Sequence, residues 1–594
     1  MTLLASSSRA HTSTTGNSKR PLGMKVARAC PSGGFCSIGT PVVSRELSLP
    51  VPPVYTGFTS RTKRKHAIDL MIFQKDPLGP KDFKNLKTIL ADTLNIPVDG
   101  NIVYASNGGT HRSAWVRDMA AISQSMRDTH EDKIAAKMMK ALYEAYNSNE
   151  EREKINGLNG SQAQRNWAPH DGNAGRTVPS TKFSVAESSD NDGSKKLIQL
   201  DHPWGHQQLD AYGYFLQELT TLAKNGTLDL KELDDQVKKG KKHENSESTL
   251  VAMVRMLKNI HYEFNYDLGA WESHWQAGRL SSIAAVVSGL VSVQEYYEGR
   301  KDTEVPNINN PRIDLNRKRF ESELETAIQQ GKDIIQKRLN EEIIQEIPEI
   351  KGFQEARNAD AALLFMLAIA EPKKIGITRE QEKKILNSVY SLMGELGFRR
   401  FEDDNYMSRD WISNKYDPEH NPNGEFGDLK NPKDAAEWSM FDPYLASVNY
   451  RLFLRSVEEV GTPDWAAYER ADAHARRTLA HITPDNFVYE RKIYQANGHG
   501  GIKEAEVNNH ISAQKVLESY FRVSREDGDY NYVPGENEGL NWTKAAMKQM
   551  LEIGEQASAV YQKVKRQHDI IRVNLNNSEI ASRAINNSNK GKLR

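Results

Sequence analysis

Apolar residues recur along most of this chain at the spacing of a helical face. Leu209, Tyr212, Leu216 and Leu219 follow the i, i+3, i+7 pattern in which one side of an α-helix is buried. Similar stripes occur in residues 135–146, 250–260, 281–293, 320–335, 361–369, 385–393, 444–457, 466–482, 511–521 and 542–564. They predict roughly a dozen helices and few strands, a helical share well above the usual one-third or so.

The loops that join these helices are of very uneven length. Long connections are predicted at residues 147–203, 299–312, 401–434 and 485–503. Connections beyond about 15 residues are usually functional or disordered. Because no internal sequence repeat is visible, we expect the helices to close into a toroid instead of stacking as a solenoid.

The composition excludes several classes of protein. The chain has 594 residues, of which 38% are hydrophobic, enough for a large core. Lys and Arg total 79, as do Asp and Glu, so no general attraction to nucleic acid or an anionic membrane is expected. No apolar run reaches the length of about 18 residues that a membrane span needs. The only cysteines, Cys30 and Cys36, leave the rest of the chain without disulfides or thiolate metal sites.

Both ends of the chain differ from the part between them. Residues 1–66 are rich in Ser, Thr, Gly, Pro and Arg, and are interpreted as a disordered or targeting leader. Residues 574–594, rich in Asn, Ser and Lys, predict a flexible tail, which leaves one helical domain over residues 67–573. A cytoplasmic location is expected, while the acidic-poor leader leaves organelle targeting and a non-classical export route open.

Aromatic residues and carboxylates gather where predicted loops meet helices. Trp115, Arg117 and Asp118 enter one helix. A Trp face stacks on a pyranose ring, and Arg and Asp offer a donor and an acceptor to vicinal hydroxyls. A helix cap with a surface ion pair is equally compatible with these three residues. A second cluster, from Trp204 to Asp210, opens the next strong helix and, taken alone, is more typical of an ordinary helix start.

A third cluster joins Trp271, Glu272 and Trp275. A carboxylic acid beside tryptophans can have its pKa raised by desolvation, which a general acid near neutral pH requires. A Glu at a helix end beside surface aromatics is the structural alternative. A metal site at His274 is not favoured, since no second His or Cys lies at ligand spacing.

Two further clusters lie in charged loops. Arg400 and Asp404 belong to a charged, aromatic loop that is also typical of a solvated turn. Glu536 and Glu538 lie in a Gly-bounded loop before the helix that starts near Trp542. Either carboxylate could stand free at a rim, or both could complement the dipole of that helix.

In their order along the chain, the five clusters resemble the characteristic motifs of family 15 glycoside hydrolases and of the related domain in phosphorylase kinase regulatory subunits. The resemblance covers about residues 81–550 and implies an (α/α)6 barrel of the glucoamylase type. It departs from the family at Ser273, where a second Glu is common, and in the loop after Glu536, which is shorter than usual.

The resemblance implies roles for individual residues. Glu272 is the expected general acid and Glu536 the expected base, with Glu538 as the alternative, because Glu536 follows Pro-Gly much as the base of the family follows Pro. The implied substrate-binding residues are Trp115, Arg117, Asp118, Trp204, Asp210, Trp271, Arg400 and Asp404.

The function that the resemblance implies is inverting, exo-acting release of β-glucose from the non-reducing ends of α-1,4-glucans, without metal or organic cofactor. The expected partner is an α-glucan or oligosaccharide. Two alternatives stay open: a glucan-binding or regulatory protein without catalysis, as the kinase-subunit likeness suggests, and the same chemistry on an α-1,6 or trehalose linkage.

Overall fold

The structure of this chain is a computed structural model. It describes residues 63–105, 113–168, 177–187, 195–200, 204–239, 248–272, 275–298, 313–402, 404, 436–483, 487–496, 502–511, 516–517, 519–524, 530–534 and 540–591. The loop with Glu536 and Glu538 lies wholly outside these residues, and of the predicted leader only residues 63–66 are described. The predicted division of the chain into leader, domain and tail therefore stays a prediction.

Helices account for most of the described residues. They are α1 (Lys63–Phe73), α2 (Pro80–Ile89), α3 (Val116–Asp128), α4 (Asp132–Tyr146), α5 (Asn149–Gly157), α6 (Ala163–Trp167), α7 (Leu209–Lys224), α8 (Leu230–Lys239), α9 (Thr249–Asn259), α10 (Leu280–Tyr297), α11 (Ile313–Asn340), α12 (Phe365–Ala368), α13 (Pro372–Ile375), α14 (Arg379–Tyr390), α15 (Phe441–Val460), α16 (Trp465–Ala480) and α17 (Asn541–Gly591). A 3-10 turn, Ala361–Leu364, leads into α12.

Six helices form a closed inner ring. α3 packs on α7, α7 on α10, α10 on α12 with its 3-10 turn, α12 on α15, α15 on α17, and α17 returns to α3. Along the chain they alternate with α2, α4, α9, α11, α14 and α16, which pack outside. The inner position explains why α3 is buried at every residue from Val116 to Met126. The predicted all-α fold, an (α/α)6 toroid, is confirmed.

Two glycines allow α7 and α10 to lie unusually close. A Cβ at Gly213 would overlap the backbone of Ala285, and a Cβ at Gly289 would overlap the carbonyl of Gly213. α10 is rich in apolar and small residues and is buried along nearly its whole length, as expected for a helix that is packed on every side. The close contact fixes the separation of two inner helices whose amino ends carry candidate site residues.

Short strands frame the helices. They are β1 (Ala114–Trp115), β2 (Lys182–Glu187), β3 (Lys195–Ile198), β4 (Tyr266–Asp267), β5 (Gln276–Ala277), β6 (Glu437–Trp438), β7 (Phe487–Ala496), β8 (Ile502–Ile511), β9 (Ser519–Ser524) and β10 (Tyr530–Pro534). All pairs are antiparallel, in the orders β1-β2-β3, β10-β9-β6, β4-β5 and β7-β8.

The strands correct the prediction of one helix and of two loops. Residues 511–521 were predicted as a helix, but β8 ends at Ile511 and β9 begins at Ser519. In β9, Tyr520 pairs with Glu437 and Pro534 across the sheet, and these long-range partners outweigh the local apolar period. The predicted loop 147–203 also contains α5, α6, β2 and β3, and the predicted loop 485–503 contains β7 and the start of β8.

Two features of the described residues concern the limits of the domain. No described helix is both long and apolar enough to cross a membrane. α17 runs on to Gly591 and so enters the segment that was predicted to be a flexible tail. Its first half packs against α2, α3 and α15.

Candidate active site

The amino ends of the inner helices meet at one face of the ring. Arg117, in the first turn of α3, has a guanidinium nitrogen 3.7 Å from the carboxylate of Asp210 in the first turn of α7. Its guanidinium carbon lies 5.5 Å from the ring centroid of Trp542, at the start of α17. Trp271, in the loop before α10, meets Phe441 of α15 with ring centroids 5.7 Å apart. Clusters far apart in the sequence therefore share one site.

Arg117 lies at the centre of this site. Its guanidinium nitrogens are 3.6 Å from Asp118, 3.7 Å from Asp210 and 3.3 Å from Glu272, and its side chain is only 6% exposed. Burial disfavours the charge, but the carboxylates of Asp210, Asp118 and Glu272 outweigh burial and raise the pKa of the guanidinium. Arg117 is thus a fixed cation among three carboxylates.

Glu272 is held in a strained turn. Its φ is 50°, in the left-handed region that residues other than glycine rarely occupy. Its amide donates to the carbonyl of Gly269 over 3.2 Å. Gly269 itself has a φ of 63°, and a Cβ there would lie 2.7 Å from Cδ of Arg279. Arg117 donates to both ends of the turn, the carbonyl of Gly269 and the carboxylate of Glu272. The backbone strain therefore fixes the position of the Glu272 carboxylate.

Two carboxylates beside Arg117 are buried. Burial raises the pKa of Asp118 to about 6, although Arg117 opposes the shift. Burial likewise raises the pKa of Asp210 to about 7 against the same guanidinium. One oxygen of each carboxylate, Oδ2, is buried without a hydrogen-bond partner among the described residues. Since leaving a buried polar atom unpaired costs free energy, these oxygens are suited to accept hydrogen bonds from ligand hydroxyls.

Trp115 and Trp204 form one wall of the site. Their rings meet edge to face, with centroids 6.4 Å apart. The ammonium of Lys182 lies 4.1 Å from the centroid of Trp115 and 3.7 Å from that of Trp204. Burial lowers the pKa of Lys182. The indole nitrogen of Trp204 is buried without a partner among the described residues, so it too is suited to a ligand oxygen.

Trp271 is fixed by a residue that the sequence analysis missed. Its indole nitrogen donates to Oδ1 of Asp360 over 2.8 Å. The same oxygen accepts from the amide of Ala362 and so caps the 3-10 turn, while Arg357 donates to Oδ2 over 3.2 Å. Asp360 lies 89 residues from Trp271 along the chain. In the sequence, an Asp just before a short apolar run indicates only a helix cap and not a contact with Trp271.

Arg400 and Asp404 form a bidentate pair beside Trp271. The Nε and Nη2 atoms of Arg400 donate to the two carboxylate oxygens of Asp404 over 2.9 and 2.7 Å. The guanidinium carbon lies 5.9 Å from the ring centroid of Trp271. Both residues belong to the same loop, and Asp404 is fully buried. A bidentate partner fixes the guanidinium plane more firmly than a single contact does.

A buried carboxylate behind the site anchors the start of α10. Glu346 accepts from the amide of Ser281 over 2.9 Å and from its hydroxyl over 2.6 Å, and its backbone carbonyl accepts from the amide of Leu280. Burial raises the pKa of Glu346 to about 8, and the charge of Asp360 acts in the same direction. The sequence offered no signal for Glu346, which has no aromatic neighbour in its segment.

The predicted bases cannot be placed. Glu536 and Glu538 lie outside the described residues, as does Ser273. The helix that follows them is anchored at the site, because Asn541 donates its backbone amide to the carbonyl of Ala105 and its side chain to that of Tyr104, both over 2.9 Å.

The described residues offer oxygens, indoles and guanidinium groups instead of a metal centre. Within the ranges given above, no group of three or more His, Cys, Asp or Glu side chains is arranged to hold a metal ion. The donors and acceptors around Arg117, with tryptophans on two sides, suit a neutral ligand with several hydroxyls.

Comparisons with known proteins give backbone likenesses only. No protein-family model matches the chain, and no curated protein does. Among solved structures, a wild-type glycosidase is 14% identical over 83% of this chain and 97% of its own, with a TM-score of 0.43. A glycosidase variant in complex with glucose gives the same values. A bacterial glucoamylase complexed with acarbose is 11% identical over 80% of this chain and 56% of its own, with a TM-score of 0.41. At such identities and TM-scores the likenesses carry no argument about activity.

Proposed function

We propose that this chain is a glycoside hydrolase that releases β-glucose, with inversion, from the non-reducing ends of α-1,4-glucans. The observation that carries the proposal is the position of Glu272. A strained turn and Arg117, which is 3.3 Å from it, hold this carboxylate at the amino ends of the inner helices, where buried acceptors and tryptophans surround it. A carboxyl group so placed suits proton transfer to a bound glycosidic oxygen.

Arg117, Asp118 and Arg400 hold the hydroxyls of the terminal sugar. Oδ2 of Asp118 is buried 3.6 Å from a guanidinium nitrogen of Arg117 and has no hydrogen-bond partner among the described residues, so accepting from a hydroxyl costs it little desolvation. Arg400, whose guanidinium plane is oriented by the bidentate pair with Asp404, donates to a further hydroxyl. Trp115 and Trp271 are the apolar walls. Positioning of this kind lowers the barrier by fixing the reacting bond beside the acid.

Glu272 protonates the glycosidic oxygen, and Glu536, with Glu538 as the alternative, deprotonates the attacking water. Support for this assignment comes from chain length. Glu536 and Glu538 are six and four residues from Trp542, whose ring lies beside Arg117, and stretches of these lengths span at most about 21 and 14 Å. An inverting reaction needs the two carboxyl groups roughly 6.5 to 9.5 Å apart, so that water fits between them.

The test is the turnover of maltoheptaose by the whole chain and by two matched variants. Glu272→Gln keeps the size of the side chain but cannot donate the proton, so glucose release falls about 10²- to 10⁴-fold. Glu298→Gln, an exposed residue beyond the far end of α10, is the control and keeps the parent rate.

Two outcomes contradict the proposal. Equal turnover by the parent and Glu272→Gln excludes Glu272 as the acid. The second outcome is a parent protein that hydrolyses none of maltoheptaose, isomaltose and trehalose but binds maltoheptaose saturably. This outcome would favour a glucan-binding role over hydrolysis.

A further inference from the structure

A cavity of about 440 Å³ opens at the other end of the inner ring. It lies among the carboxyl ends of α3 and α12, the start of α13 and the second half of α15. α3 separates it from the candidate active site: Asp118 is in the first turn of this helix and Asp128 is its last residue, about 15 Å further along. Its volume is within the range of roughly 300 to 1,000 Å³ that is common for small-molecule sites.

The charges around this cavity balance. Four cationic and four acidic side chains line it: Arg127, Lys373, Arg451 and Arg455, and Asp128, Glu371, Glu382 and Glu458. An unbalanced lining would select an ion of the opposite sign. A balanced one, rich in both donors and acceptors, instead suits an uncharged ligand that donates and accepts at once.

Two arginines of the lining keep N–H groups that have no hydrogen-bond partner among the described residues. Arg455 gives one nitrogen to both oxygens of Glu382 over 2.8 and 2.9 Å, while its Nε is buried without a partner among the described residues. Arg451 donates to the carbonyl of Ala368 over 3.1 Å, and its nearest carboxylate, Asp128, is 3.7 Å away. Burial lowers the pKa of Arg451 and raises that of Glu382. Hydroxyls that bridge such groups would restore the hydrogen bonds that burial removes.

The rest of the lining is apolar and fixed. Leu367, Ile369, Pro372, Val448 and Leu454 supply hydrocarbon surface. The carbonyl of Ile369 accepts hydrogen bonds from the amides of Gln124 and Gln217, over 3.2 and 2.9 Å. An apolar floor with polar edges matches a sugar ring, whose C–H faces are apolar and whose rim carries hydroxyls.

We infer that this cavity is a second, non-catalytic binding site for an uncharged sugar of one or two rings. The ring lies on the apolar floor, and its hydroxyls bridge Arg451 and Arg455 to the carboxylates opposite. The inference does not require hydrolysis at the other face, since none of the cavity residues belongs to the candidate active site.

The experiment follows methyl NMR signals of the whole chain during titration with glucose. The methyl group of Ile369 reports on the cavity, and that of Leu268, which lies against Gly205 beside Trp204, reports on the active-site face. We expect a saturable shift of Ile369. Two variants raise the apparent Kd for glucose, measured from the Ile369 shift, at least tenfold. In Leu454→Trp the indole fills the cavity, and Arg451→Met removes the donor but keeps the apolar stem. Any shift of Leu268 stays as in the parent.

Val460→Trp, an exposed position on the same helix outside the cavity, is the control and leaves both signals as in the parent. A shift of Ile369 with inorganic phosphate but not with glucose overturns the inference in favour of an anion site. No saturable shift with glucose also overturns it, as does an Ile369 shift that both cavity variants leave unchanged. Because turnover is measured separately on maltoheptaose, failure here leaves the proposed hydrolysis untouched.

Discussion

The two ends of the inner ring use charge differently. At the amino ends, Arg117 faces three carboxylates at once, and Asp118 and Asp210 are almost fully buried. At the carboxyl ends, Arg455 pairs with Glu382 and Arg127 with Glu218, so that each guanidinium has a carboxylate of its own. Arg451, with 30% of its side chain exposed, is reached by water as well.

The difference is in keeping with the two proposals. Excess buried carboxylate and a strained Glu272 turn raise the free energy of the unliganded active-site face, and hydroxyls of the proposed substrate would satisfy the buried oxygens. The paired charges at the other end store no such strain, as a site proposed only to hold a ligand requires.

The largest expected contrast is between the arginines of the two ends. Arg117→Met leaves Asp118 and Asp210 buried beside no cation, which we expect to lower the free energy of unfolding by about 3–5 kcal/mol. Arg451→Met removes a partly exposed guanidinium with one distant partner and costs about 1 kcal/mol or less. Urea denaturation of both variants measures the difference. Equal losses would show that the site charges are no more tightly coupled than those at the cavity.

A second contrast uses two glycines of like conformation. Gly269 and Gly376 have φ of 63° and 76°, so Ala costs both about 1–2 kcal/mol for the left-handed backbone. Only at Gly269 does the new Cβ lie 2.7 Å from the side chain of Arg279, whereas at Gly376 the nearest atom, in the side chain of Gln336, is 3.7 Å away. We expect Gly269→Ala to lose roughly 1–3 kcal/mol more, together with turnover. Thermal unfolding and maltoheptaose hydrolysis check both, and equal effects would argue against a packed catalytic turn.

A third contrast concerns pH. Because the pKa of Asp210 is about 7 in the folded chain and 3.8 in its reference state, the folded chain binds more protons between about pH 4 and 7. The stability that this group contributes is full below about pH 4 and is lost as pH rises through 7, by at most about 1.4 kcal/mol per pH unit.

Asp210→Asn removes this titration and flattens the fall in stability between pH 4 and 7. Gln217→Ala, a buried change toward the other end of the same helix, lowers stability without changing its slope with pH. Chemical denaturation at several pH values measures both slopes. An unchanged slope in Asp210→Asn would contradict the assignment of the titration to this carboxylate.

The smallest expected effect is at Trp271. Trp271→Phe keeps an aromatic wall but loses the hydrogen bond to Asp360, which is worth about 0.5–1.5 kcal/mol. We expect a rise in KM for maltoheptaose with a smaller change in kcat, since the wall loosens while Glu272 stays in place. A fall in kcat alone would instead connect Trp271 to the acid.

The sequence was sufficient for most of the helical ring because several inner helices have an apolar period of their own. Residues 209–219 and 444–457 lie in α7 and α15 as predicted. It failed at β8 and β9, where pairing with distant segments decides the conformation, as between Tyr520 and Glu437.

The same division applies to the site. Trp115, Arg117, Asp118, Trp271 and Glu272 could be picked out because aromatic and charged residues stand together in the sequence. Their partners could not. Lys182 reaches Trp115 through a strand pair, and Asp360 reaches Trp271 across 89 residues. Such contacts depend on the closed ring and leave no local pattern.

Proton NMR of the anomeric region during early hydrolysis of maltoheptaose tests inversion and the role of Glu272 together. We expect β-glucose to appear first, Glu272→Gln to lower its release about 10²- to 10⁴-fold, and Glu536→Gln to lower it more than Glu538→Gln does. α-Glucose as the first product would contradict inversion, and release at the parent rate in Glu272→Gln would contradict the role of Glu272 as the acid.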